Sequence, residues 1–155
     1  MDDTEAMGLA LDEARRAGSR GEVPVGAVLL AGHQVLASAG NEREATEDPT
    51  AHAEIVVLRR AAESRGSWRL TETTMYVTLE PCPMCAGALV AARVGRLVFG
   101  TPDPKAGACG SLYNLCADPR LNHEVSITAG VRSDEASELI GGWFAARRAE
   151  DRLPG

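Results

Sequence analysis

The sequence predicts an α/β fold: a three-layer α/β/α sandwich with helices on both faces of one mixed central sheet. Three observations carry this. Short Val- and Leu-rich runs of strand type alternate with longer segments whose apolar residues recur at helical spacing. The first two strand-like runs are joined by Gly32-His33, a hairpin, so their pairing is antiparallel and the sheet is mixed. A chain of 155 residues, 45% of them hydrophobic, is long enough to bury a core of this kind.

Each element follows in order. Residues 3–17 place Ala6, Leu9, Ala10, Leu11 and Ala14 among charges at helical spacing, with Gly18 as the expected stop. Residues 23–31, VPVGAVLLA, read as a buried strand containing a glycine, and QVLASAG as its hairpin partner. Residues 41–49 read as a polar loop. Residues 52–64 read as a helix with Ile55, Val56 and Leu58 turned inward. TMYVTL at 74–79 is a strand, broken by Glu80-Pro81. Met84 to Ala92 is a small-residue apolar helix, and RLVFG at 96–100 a further strand. A loop with Pro102, Pro104 and Gly107 leads to a short helix near Ser111–Cys116. EVSITA at 124–129 is the last strand and Ser133–Arg148 an amphipathic final helix. No repeat, low-complexity tract or linker interrupts the chain, so residues 1–155 are expected to form a single domain.

Composition excludes several functions. No apolar run approaches the ~18 residues of a membrane span. The acidic start, MDDTEAMGLALDEARRAG, has no basic region followed by an apolar one, so a cytoplasmic location is expected. Net charge is −6, and all of it arises in residues 1–50, with 10 acidic and 4 basic side chains. A uniformly basic nucleic-acid-binding surface is excluded, whereas a local basic patch is not. Arg59, Arg60, Arg69, Lys105 and the run Arg147, Arg148, Arg152 are the candidates for one. Cys82, Cys85, Cys109 and Cys116 fall in a chain where disulfides are a poor default, and the first two form Cys-x-x-Cys, a metal site or a redox pair.

The chemistry concentrates in two motifs, His52-Ala53-Glu54 and Pro81-Cys82-Pro83-Met84-Cys85. Each opens a predicted helix. Two thiols at a helix start converge on one ion and ionise readily there. His52 would be the third ligand. Three protein ligands leave a tetrahedral zinc with one position open to water, the pattern of a catalytic site. Glu54 is too near His52 to share the ion comfortably and is the candidate proton shuttle. A redox pair would leave His52-Ala53-Glu54 without a purpose. A structural zinc would need a fourth ligand; His33 sits in a turn, and Cys109 and Cys116 read as a buried apolar residue and a loop thiol.

H-x-E followed by P-C-x-x-C is the signature of the zinc nucleobase deaminases. The stretches VPVGAV, GN, DPTAHAEI, YVTLEPCPMCAGAL, GRLVFG and WFAARR, spread over residues 4–150, resemble the bacterial tRNA-specific adenosine deaminases, in the cytidine-deaminase-like superfamily. The resemblance implies that fold, one zinc ion per subunit on His52, Cys82 and Cys85, and Glu54 as proton shuttle. It implies adenosine-to-inosine conversion at the wobble position of a tRNA anticodon loop, in a homodimer. It also implies substrate contacts from Asn41 and Ala53 to the target base, from Asp103 and Lys105 to its neighbours, from Asn122 and His123 to ribose and backbone, and from Phe144 beside the anticodon loop. The chain departs from the family pattern at Pro102 and Pro104, at Cys109 and Cys116, and in its acidity. Two other readings stay open: a deaminase of a free nucleobase or nucleoside such as guanine or cytosine, and a catalytically silent zinc subunit, against which the presence of Glu54 counts.

Overall fold

The computed structural model describes residues 1–151. Arg152, one of the candidate phosphate contacts, lies outside the described residues. Helix α1 (Asp3–Ser19) is opened by a capping box in which the Asp2 carboxylate accepts the Glu5 N–H and the Glu5 carboxylate accepts the Asp2 N–H. It runs through Gly18, the expected stop, because the turn out of the helix falls instead at Arg20-Gly21, where Gly21 takes a φ of +86°. Strands β1 (Gly26–Ala31) and β2 (Gln34–Gly40) form the expected hairpin, with β1 starting at Gly26 rather than before it. The segment expected to be a plain polar loop contains one helical turn, α2 (Arg43–Thr46). The buried Glu22 carboxylate explains it, accepting the N–H groups of Glu44 and Ala45 at 2.9 and 2.8 Å.

Helix α3 (Ala53–Arg65) follows, then β3 (Thr74–Leu79), α4 (Pro83–Ala91), β4 (Arg96–Thr101), a 3-10 turn at Leu115–Ala117, β5 (Ser126–Ala129) and α5 (Ser133–Asp151). In α3 the expected Val56 and Leu58 are buried, with Ala53, Val57 and Ala61 fully so, while Ile55 is only partly covered. The expected helix near 111–116 is thus a shorter turn placed later, and β5 begins two residues later than expected.

The five strands form one sheet in the order β2-β1-β3-β4-β5. The β1 pairings to β2 and β3 are antiparallel, and β3, β4 and β5 run parallel. The sheet is mixed, as the hairpin required. Alternate side chains divide the interior. Val28, Leu30, Tyr76 and Val98 pack with Ala6, Met7, Ala10 and Leu11 of α1 and Ala136 of α5. Ala27, Leu29, Met75, Val77, Leu97 and Phe99 pack on the other face with α3 and α4. This is the three-layer sandwich.

Helix α1 lies so close to β1 that a Cβ at Gly26 would collide with the Ala10 carbonyl and the Ala14 N–H. Backbone cannot move aside as a flexible side chain can. Gly26→Ala is therefore expected to lower unfolding stability by about 3 kcal/mol, at the upper end for overpacking. Urea denaturation checks this, as a reduced midpoint at unchanged slope.

Candidate active site

The site lies at one end of the sheet, where β3 ends, β1 begins and β2 ends. The N-termini of α3 and α4 point into the same region, so two helix starts present their first residues to one place. His52 is the residue immediately before α3 and Cys82 the residue immediately before α4. Asp48 shapes the approach to His52 by accepting the Thr50 N–H at 2.8 Å and the Thr50 hydroxyl at 2.7 Å. Pro83, at the first position of α4, needs no N–H there and pre-sets the helical φ, which turns Cys85 back toward Cys82.

The result is a compact donor set. His52 Nδ1 lies 3.6 Å from Cys82 Sγ and 3.5 Å from Cys85 Sγ, and all three ligand atoms fall within 4.8 Å of one another. Zinc bonds of ~2.3 Å to sulfur and ~2.0 Å to nitrogen at the tetrahedral angle put sulfur and nitrogen ~3.5 Å apart. The spacing of His52 to both thiols thus suits a tetrahedral ion, and the mixed nitrogen and thiolate donors suit a borderline-soft metal. These three residues are the only His, Cys, Asp or Glu cluster of metal-binding geometry among the described residues.

Electrostatics agree with the geometry. The Cys82 thiol is brought down to about 4, first by the hydrogen bond from Cys85, with the His52 imidazole adding to it against the cost of burial. The Cys85 thiol is pushed up by the same shared hydrogen bond and by its burial. His52 is raised, chiefly by its contact with Cys82. Charge on the Cys82 thiolate and on a protonated His52 would each favour the other. Glu54, the second residue of α3, is only 4% exposed, so it is not the solvated helix residue its type would suggest. Burial pushes its carboxyl up.

A cleft of about 170 Å³ opens onto this group, lined among others by Val25, Asn41, Ala53, Leu79, Glu80 and Asp103 together with His52, Glu54 and Cys82. Asn41 is buried; its N–H donates to the Val25 carbonyl and its Oδ1 accepts the Arg43 N–H at 2.9 Å. Asp103 and Lys105 line an adjoining cleft of about 280 Å³, whose other wall includes Phe144 of α5. Asn41, Ala53 and Asp103 thus line the cleft that holds the metal-ligand group, while Lys105 and Phe144 line only the adjoining one. Asn122 and His123 line neither. They line a separate hollow, and His123 Nε2 donates to the Val94 carbonyl at 2.7 Å, just ahead of the start of β4. The other two thiols, Cys109 and Cys116, are buried with their sulfurs 3.8 Å apart.

Sequence reasoning passed over three residues of this site. Arg43 lines the cleft, and its positive charge opposes protonation of His52. The sequence marks Glu80 only as a strand breaker and does not single out Glu22, yet both are buried carboxylates that hold cleft-lining segments. The available signal was a glutamate inside an otherwise apolar stretch, as in GEVPVG and VTLEPC; such a carboxylate must find donors when it is buried.

The sequence matches the MafB19-like deaminase family over residues 1–148. It is 44% identical over 143 residues to the tRNA-specific adenosine deaminase of Bacillus subtilis (strain 168), covering 92% of this chain and 89% of that one. It is 45% identical over 148 residues to the enzyme of the same name from Agrobacterium fabrum, covering 96% and 97%. A solved structure from work on A-to-I editing by tRNA:A34 deaminases superposes with a TM-score of 0.85 at 46% identity, covering 88% of this chain and 99% of that one. With a mixed five-stranded sheet, a His-Cys-Cys donor set and a buried glutamate beside it, the chain belongs to the MafB19-like deaminases, among the bacterial tRNA-specific adenosine deaminases.

Proposed function

We propose that the protein hydrolyses adenosine to inosine at the wobble position of a tRNA anticodon, releasing ammonia. The observation that carries this reading is the buried Glu54 beside the His52, Cys82 and Cys85 donors, in a chain 44% identical to an enzyme named for that substrate. His52, Cys82 and Cys85 would hold one zinc ion per subunit. Bound there, zinc supplies a water activated to a nucleophile near neutral pH.

The chain's own residues do the rest. The target adenine leaves its stack and enters the cleft. Asn41 and the Ala53 backbone orient the ring. Glu54 takes a proton from the attacking water and delivers it to N1 as the water oxygen adds to C6. Glu54 then passes the second proton to the exocyclic nitrogen, which leaves as ammonia. A buried carboxylate suits this work because burial brings its two protonation states closer in energy. Asp103, Lys105 and Phe144 meet the unpaired nucleotides flanking the target, as single-stranded RNA recognition requires. Asn122 and His123 contact ribose and backbone at the edge of the RNA footprint.

The protein works as a homodimer through the α3/α4 face. In support, Ile55, Leu58, Ala62, Trp68, Ala88 and Ala91 line an open apolar groove there, with Trp68 57% exposed. Sedimentation velocity checks this. The reducing cytoplasm is the compartment this reading assigns, in keeping with four free cysteines. No helix among the described residues is long and apolar enough to cross a membrane.

The alternative substrate, a free nucleobase, is favoured by the −6 net charge. One experiment separates the two. The zinc-loaded protein is offered an anticodon stem-loop with adenosine at the wobble position and, in parallel, free adenosine, guanine and cytosine, with products scored by mass. Inosine in the stem-loop alone, with a rate constant kcat/KM that falls steeply as salt rises, is the expected result. Turnover of a free base with the stem-loop untouched would overturn the RNA reading.

A further inference from the structure

The segment from Pro102 to Ser111 forms one wall of the cleft and has no regular strand or helix of its own. Its backbone N–H groups must nonetheless find partners. Several of them find the same one. Glu80, 2% exposed at the end of β3, accepts the Asp103 N–H at 2.9 Å on Oε1 and the Cys109 and Ser111 N–H groups at 3.0 Å each on Oε2. The Ser111 hydroxyl donates to Oε1 as well. Both carboxylate oxygens are doubly occupied, Oε1 by donors from both ends of the segment and Oε2 by donors from its far end. Gly107 lies directly over the carboxylate, where any Cβ would collide with it. At the near end, Asp103 Oδ1 accepts the N–H groups of Lys105 and Ala106, which fixes the turn that carries Lys105.

We propose that Glu80 is a positioning residue: its buried carboxylate is the internal anion on which residues 103–111 are folded, and it thereby sets Asp103 and Lys105 at the distance from the metal-ligand group that RNA flanking the target base requires. This inference rests on the RNA reading above and deepens it. Glu80 borders the cleft, but both of its carboxylate oxygens are taken by donors of residues 103–111, so its role is to hold that wall rather than to meet the reacting atoms. Its loss moves the wall rather than the chemistry, so binding of the oligonucleotide suffers and the chemical step does not.

The test uses the zinc-loaded protein and two variants, Glu80→Gln and Gly107→Ala. The first replaces two of the carboxylate's lone-pair acceptor sites with N–H donors; the second pushes the segment off an intact carboxylate. Neither alters a metal ligand. Both are expected to keep one zinc per chain, to raise KM for the anticodon stem-loop about tenfold, and to change kcat less than about threefold, the scale of a lost hydrogen bond to a charged group. Hydrogen exchange at the Asp103, Cys109 and Ser111 amides should be slow in the wild type and faster in both variants.

A fall in kcat at unchanged KM, loss of zinc, or unchanged amide exchange would overturn the assignment. A wild-type protein inert on the stem-loop overturns the RNA reading and this inference together. That outcome is distinguished from failure of the Glu80 inference alone, in which the wild type is active and the variants keep its KM.

Discussion

Glu54→Gln is expected to lower kcat on the anticodon stem-loop by about a thousandfold or more while zinc content stays at one per chain. In the proposed reaction both proton transfers pass through this carboxyl, and general acid–base catalysis by a placed group is worth up to ~10⁴-fold. Glutamine preserves the size and most of the packing of a side chain that is 4% exposed, so the fold survives the change. What disappears is the capacity to take a proton from water and give it up twice. Single-turnover rates with saturating protein isolate the chemical step, and metal analysis on the same sample confirms the site. A variant that deaminates at the wild-type rate removes Glu54 from the mechanism. A variant that loses its zinc assigns Glu54 a role in building the site rather than in moving protons.

Cys82→Ser should abolish both activity and metal retention. Substitutions among residues that merely support a ligand cost ~10–100-fold in metal affinity, and loss of one of three ligands costs more. Cys82 is also the thiol held lowest, at about 4, so it is the ligand that meets an incoming cation already charged. Dialysis against a chelator followed by metal analysis reads the first effect, and stem-loop turnover the second. Cys109→Ala serves as the contrast. Its sulfur lies 3.8 Å from Cys116 Sγ and outside the ligand group, so that variant should hold its zinc through the same dialysis. Retention of metal by Cys82→Ser would break the ligand assignment and return the Cys-x-x-Cys pair to redox chemistry.

The His-Cys-Cys donor set was legible because its chemistry is local. His52-Ala53-Glu54 and Cys82-x-x-Cys85 each occupy one helix start, and a helix start is the part of a fold that sequence marks best. The sheet was legible for a similar reason: Gly32-His33 announces a hairpin, and TMYVTL at 74–79 is bounded by breakers on its far side. The failures share a different cause. The turn of helix at Arg43–Thr46 exists because Glu22, some twenty residues earlier, receives its free N–H groups. Glu80 matters because donors more than twenty residues later converge on it. No window of sequence contains both halves of either arrangement. Gly18 misled because glycine marks a helix end only when the chain needs a positive φ, and here Gly21 meets that need. Asn122 and His123 stand apart from these cases: their expected contacts rest on likeness to relatives alone, and they line a hollow away from the metal-ligand group.

The sheet does one thing more than separate two layers of helices. Because side chains alternate across it, the packing that holds α3 and α4, and with them His52, Cys82 and Cys85, is made of different residues from the packing that holds α1 and α5. Neighbouring positions such as Val28 and Leu29 answer to different constraints. A lost methyl group beneath α1 is felt by the chain as a whole, as stability. A lost methyl group beneath α3 or α4 is felt twice, as stability and as a shift between ligands that must stay within a few tenths of an ångström. Descendants of this sequence are therefore free to drift on one side of the sheet at a rate the other side cannot match, and the boundary between the two regimes runs through the middle of every strand.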